Sequence, residues 1–141
     1  MKLSSWLAAL AIALQVLNTE AQTYTLTDGN SSVSLTPGSS IGMNNWTVDG
    51  QNQLNQQWFY YSVGSASVAA PISSLALATP VQPSGSLLNT TYTGAGFSLQ
   101  AVYSLVGGAL GSGTSDLGEQ IKIQNTSAAP LTFHFFQYAD F

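Results

Sequence analysis

Between Phe97 and Leu105 the inward-going residues alternate strictly: Phe97, Leu99, Ala101, Tyr103 and Leu105, separated by Ser98, Gln100, Val102 and Ser104. A side-chain period of two belongs to a pleated strand with one face in a core, whereas a helix needs apolar groups at spacings of three and four. Nine residues of it demand a partner sheet to cover the apolar face. Leu87–Thr93 reads as the other arm of a hairpin across Gly94-Ala95-Gly96. The same grammar recurs elsewhere. Tyr24 and Leu26, then Val33 and Leu35, alternate with Thr and Ser around the turn Asp28-Gly29-Asn30, and Pro37-Gly38 stops that hairpin.

Ser39–Asn45 reads as loop, Trp46-Thr47-Val48 as a short strand, and Asp49-Gly50 as a second turn. Gln51–Gln57 is compatible with a single helical turn but is too short to require one. Trp58–Val63, with large rings on both faces, is the most β-prone window and reads as a central strand buried on two sides. Ile72–Thr79 follows as a strand with Leu75 and Leu77 on one face, broken by Pro80–Gly85. Gly107–Ser115 reads as the longest flexible connection and the preferred site of proteolytic nicking. Ile121–Ile123 and the aromatic-rich Leu131–Phe141 supply the last strands. Eight or nine short strands separated by turn signals predict an all-β fold. Its expected form is an antiparallel two-sheet β-sandwich, jelly-roll-like or immunoglobulin-like.

The N-terminus sets the compartment. Met1-Lys2, the apolar run Leu3–Leu17 and the small residues of Thr19-Glu20-Ala21 have the layout of a secretory signal peptide, a helical leader over residues 1–21 cleaved before Gln22. The apolar run is about five residues short of a membrane-spanning helix. Residues 22–141 then form a single β-sandwich domain, secreted or held at the cell surface, and touching a membrane only through an uncleaved leader. Lys122 is its one cation, against Asp28, Asp49, Asp116, Glu119 and Asp140, so the net charge stays at the −4 of the whole chain. That balance excludes nucleic acid, whose phosphates need several cations. With no cysteine, the fold has no disulfides and rests on its apolar core.

The chemistry-bearing residues are few. His134 is the only histidine, on a strand face shared with Phe136 and Tyr138, with no nucleophile or carboxylate placed beside it by the sequence. A strand histidine with locally satisfied ring nitrogens accounts for it. Asp28-Gly29-Asn30-Ser31-Ser32 spaces oxygens at alternate positions, but Ser39 stands where a calcium loop carries its bidentate Glu, so turn chemistry accounts for it. Asp116 and Glu119 read as the solvated start of a strand. Zinc in its usual forms is excluded by one His and no Cys. No catalytic residue, metal or cofactor is therefore expected. Asn30, Asn45, Asn89 and Asn125 each begin an N-x-S/T triplet, relevant only in a eukaryotic host. Trp46 and Tyr60 are the candidate ligand-binding residues: exposed rings of this kind form sugar-stacking platforms, although core packing accounts for most aromatics here.

Two stretches carry a family likeness: Gly42–Gly50 leading through Leu54 to Gln57-Trp58-Phe59-Tyr60-Tyr61, and Gly118–Ser127 leading into Phe135–Phe141. Both resemble uncharacterised secreted bacterial proteins of the kind that often end in a PEP-CTERM sorting signal. The resemblance implies an exported envelope or matrix protein, and it carries over no catalytic motif. The Pro-Glu-Pro motif, apolar helix and basic tail of that signal are absent from these residues. In such proteins the Asp-Phe pair is followed by more domain, so the resemblance also implies an incomplete C-terminus. The expected function is a non-enzymatic, structural or adhesive β-sandwich of the bacterial surface or matrix, whose partners are polysaccharide or other surface proteins. The alternative is a carbohydrate-binding module using exposed aromatics.

Overall fold

A computed structural model describes residues 21–141; the leader expected over residues 1–21 lies outside them except for Ala21. Strands β1 (Tyr24–Asp28), β2 (Ser31–Thr36), β3 (Gly42–Val48), β4 (Gln51–Leu54), β5 (Gln56–Val63) and β6 (Ala70–Pro71) come first. A 3-10 turn at Ile72–Ser74 follows. Then come β7 (Ala76–Leu77), β8 (Val81–Ser84), β9 (Leu87–Gly94), β10 (Phe97–Gly107), β11 (Ser115–Asn125) and β12 (Phe133–Asp140). One sheet runs β1-β2-β3-β5-β12, with β4 attached to β3 and β6 to β5. The other runs β11-β10-β9-β7, with β8 attached to β9. Every pairing is antiparallel. The result is the expected two-layer antiparallel sandwich, in which β12 returns to the first sheet after the chain has built the second.

The core lies between the layers. The alternating residues of β10 are all buried, facing Leu26, Val33 and Leu35 of the opposite sheet within one apolar cluster. Trp58 and Phe59, adjacent on β5 and therefore on opposite faces of it, are both buried, as a strand covered on two sides requires. Phe59 stacks on Phe135 at 5.2 Å, and Phe97 meets Phe133 edge-on at 4.9 Å, so rings from both sheets close this end of the core.

Several local expectations change. Gly42–Asn45 is strand rather than loop, extending β3 by four residues. Gln51–Gln57 holds no helical turn; Asp49-Gly50 closes a hairpin, and the chain continues as β4 and β5 with a kink at Asn55, whose N–H is taken by the carbonyl of Asp140. Long-range pairing has overridden a weak local preference. Ile72–Thr79 is only partly strand. Behind Pro71 the chain makes a tight turn, with the Leu75 N–H on the Ile72 carbonyl, before the two residues of β7. Leu75 and Leu77 nonetheless both pack against the core. Pro80–Gly85 does not simply break the sheet: Pro83 sits in β8, an edge strand where its missing N–H leaves no ladder bond unmade.

Candidate functional site

Trp46 occupies the most irregular point of the first sheet. Ser34 pairs with Asn44 and Ser32 with Thr47, so Asn45 and Trp46 together oppose Val33 alone. That is a β-bulge, and Asn45 adopts a left-handed φ of 53°, a conformation Asn tolerates better than most residues. On its other side β3 slips again: Trp46 pairs with Leu54 and Thr47 with Asn52, leaving Gln53 unmatched. Bulges on both flanks re-aim the Trp46 ring, which packs partly on the core while its Nε1–H donates to Ser115 Oγ in the other sheet at 3.3 Å.

The ring lines an open cleft of about 480 Å³, whose other walls are Val48, Asp49, Gln51, Gln53, Gly113, Ser115 and Phe141. Asp49 and Gly50 turn the chain with φ of 48° and 77°, both in the left-handed region, as the tightest hairpin turn needs. The turn projects Gln51 and Gln53 to the rim, where both are exposed. Two aromatic rings, Trp46 and Phe141, with two primary amides, a hydroxyl and a carboxylate make a site that can stack a flat apolar face and exchange hydrogen bonds with hydroxyl groups around it.

Asp49 is fixed from three directions. Its Oδ1 accepts the Gly111 N–H at 2.6 Å, and its Oδ2 accepts the Gly113 N–H at 2.8 Å and Asn30 Nδ2 at 3.0 Å. These bonds, with Gly111 first, Gly113 next and Asn30 least, hold its carboxyl below the usual carboxylate range against a small opposing effect of burial. The connection between β10 and β11 is thus tethered rather than loose. Asp28 Oδ2 takes the Gly107 N–H at 2.8 Å, and Asn30 Oδ1 takes that of Gly108 at 2.9 Å. Gly107 has to be glycine, because a Cβ there would run into the backbone carbonyl of Asp28. The three turn residues read as local turn chemistry therefore also act at a distance, Asp28 across 79 positions, Asn30 across 78 and Asp49 across 62 and 64.

The other sequence candidates lie elsewhere. Tyr60 stands on β5 opposite Phe136 and Pro71, half-buried against the core, and does not line the cleft; Phe141 supplies the second ring there. His134 has its Nε2 3.2 Å from the Gly64 carbonyl and its ring stacked on Phe136, the locally satisfied state expected of it. Glu119 corrects its expectation. It is half-buried between the layers, bonded to the side-chain amides of Gln57 and Gln137, the latter at 3.3 Å, while Asp116 is solvated as expected. Burial pushes the Glu119 carboxyl up, opposed by the Gln57 bond. Among the described residues no three His, Asp or Glu groups converge as a metal would require.

Neither a family model, nor a curated protein, nor a solved structure is significantly similar to this chain. Its function has to be argued from its own residues. Of those lining the cleft, Trp46 was legible as an aromatic beside a turn, whereas Gln51 and Gln53 lie in a segment compatible with a helical turn and reach the rim only because pairing with β3 makes it a strand. Ser115 and Gly113 come from the far sheet, and no local signal joins them to Trp46.

Proposed function

We propose that this chain is an exported, non-enzymatic adhesive β-sandwich of the cell exterior that grips polysaccharide in the Trp46 cleft. The observation that carries the reading is the double bulge at Trp46, which turns an indole into a 480 Å³ cleft rimmed by Gln51, Gln53 and Asp49. Bulges that re-aim one side chain recur at functional positions because they cost ladder hydrogen bonds. An indole face beside amides and a carboxylate suits a sugar ring, whose C–H face is apolar and whose edge carries hydroxyls. Within residues 22–141 the four acidic groups outside the cleft and the single lysine favour a neutral glycan over a polyanion. Among the described residues Asp49 is the one carboxylate side chain lining the cleft, and paired carboxylates are what glycoside hydrolysis uses, so binding without turnover is the fitting activity. The leader-like N-terminus and the resemblance to exported bacterial proteins support the exterior setting.

Titrating Trp fluorescence with a panel of neutral polysaccharides tests the proposal. A saturable shift is expected, weakened about tenfold or more by Trp46→Ala through loss of the stacking surface. Gln53→Ala, at an exposed position outside the core, is expected to weaken it too while leaving the thermal midpoint unchanged. Silence across the panel, or binding indifferent to both variants, refutes the assignment.

A further inference from the structure

The sandwich is open along one side. β11 ends the second sheet and β12 ends the first; the two meet across the layers at Glu119–Gln137, and beside them Phe97 of β10 meets Phe133 of β12. The residues that β11 turns inward, Leu117, Glu119, Ile121 and Ile123, are paired with Leu105, Tyr103, Ala101 and Leu99 of β10. The β10 residues are buried, but Leu117 and Ile121 are only half-covered and Ile123 is 39% exposed. Among the described residues β11 is an eleven-residue strand with one unpaired edge and a partly uncovered apolar row, a template for another strand.

We propose that β11 pairs with β11 of a second copy of this chain, antiparallel about a two-fold axis at Glu119, joining the two five-stranded sheets into one. The occupant is indicated by the charges on the edge. In that register Asp116 of one copy stands opposite Lys122 of the other, and the symmetry makes the pair twice. On the inward face Leu117 meets Ile121, again twice, and Ser115 meets Ile123. Asp116 and Lys122 both lie on the outward, solvated row of β11, where opposite charges in direct register stabilise a strand pair. The only lysine of the domain is thus placed at a spacing from an aspartate that lets the strand complement itself, as a two-fold interface requires. The one unfavourable pair is Glu119 facing its own copy. The Gln57 and Gln137 amides draw that carboxylate towards the opposite sheet. The association needs no ligand in the Trp46 cleft, which it touches only at Ser115, the end of the paired strand.

Sedimentation equilibrium of the protein over a micromolar to millimolar range is the test. A monomer–dimer equilibrium is expected, weakened about tenfold by Lys122→Asp and similarly by Asp116→Lys, since each sets two like-charge pairs in the ladder. The double variant Asp116→Lys/Lys122→Asp restores the opposite charges and is expected to recover the parent affinity to within about threefold. All three changes are on exposed side chains, and circular dichroism verifies that each variant is folded. A protein that stays monomeric throughout, as it would were another segment or another protein the natural cover of this edge, overturns the proposal. So does a dimer indifferent to the single changes, or a folded double variant that fails to recover.

Discussion

Asp49 combines backbone and side-chain roles at one position. Its φ of 48° belongs to the turn that aims Gln51 and Gln53, and its carboxylate clamps the loop that forms the facing wall. Asp49→Asn separates the two roles, because Asn tolerates the left-handed backbone but brings no charge to the Gly111 and Gly113 amides. The hairpin is expected to survive while the 108–114 segment opens, so limited proteolysis should cut there several-fold faster than in the parent. The pH dependence follows from the same bonds. The folded carboxyl sits below its ordinary value of 3.8, so its stabilising contribution is complete above that value and fades as pH falls through it. Parent protein should therefore become nickable in strong acid, and the Asn variant should be nickable at all pH values. Equal cutting of both proteins at neutral pH would remove the clamp from the account.

Among elements, β10 has the most to lose. Its inward row is wholly buried, so Leu99→Ala removes three carbons from a close-packed site and is expected to cost about 2–5 kcal/mol. Val106→Ser, at a position 58% exposed on the same strand, should stay within about 0.5 kcal/mol. Chemical denaturation of the two variants, compared at equal slope, measures both. The contrast also marks what local pattern can reveal. The β9–β10 hairpin and the β1–β2 hairpin were legible because period-two burial and a short turn lie within a few residues of each other. β4 was not: Gln51, Asn52 and Gln53 carry no apolar pattern, and only pairing with β3 makes them a strand. The turn at Ile72–Ser74 was equally hidden, since Ile72 and Leu75 read as strand until Pro71 and the Ser74 hydroxyl, donating to the Pro71 carbonyl at 2.7 Å, curl the chain. The bulge at Trp46 depends on a register that two neighbours impose, so the residue was recognisable but its direction was not.

At the scale of the whole molecule the two sheets meet around groups that no local reading could pair. Tyr103 points its hydroxyl into the interlayer space with no hydrogen-bond partner among the described residues, and Glu119 stands opposite it on β11 with amides from the other sheet. Burial, then the neighbouring Tyr92 and Glu119, raise the Tyr103 phenol well above its ordinary range, so it is neutral at neutral pH. Glu119 is the titrating member, and its sign is opposite to that of Asp49. Its folded carboxyl is raised above the ordinary 4.5, so the folded state holds the proton longer than the unfolded one. Stability from this group is full below 4.5, declines as pH climbs from there through the raised value, and is level beyond it. With Asp49 failing on the acid side, the sandwich is expected to be most stable in mildly acidic solution. Glu119→Gln keeps a hydrogen-bonding amide between Gln57 and Gln137 but carries no charge to desolvate. Thermal unfolding followed from about pH 3 to about pH 8 should show its midpoint a few degrees above the parent at neutral pH, converging with it in acid. Tyr103→Phe, which removes the unpartnered hydroxyl, should raise the midpoint equally at both ends of that range. A Glu119→Gln profile that runs parallel to the parent at every pH would place the proton elsewhere and leave the interlayer carboxylate without a part in holding the sheets together.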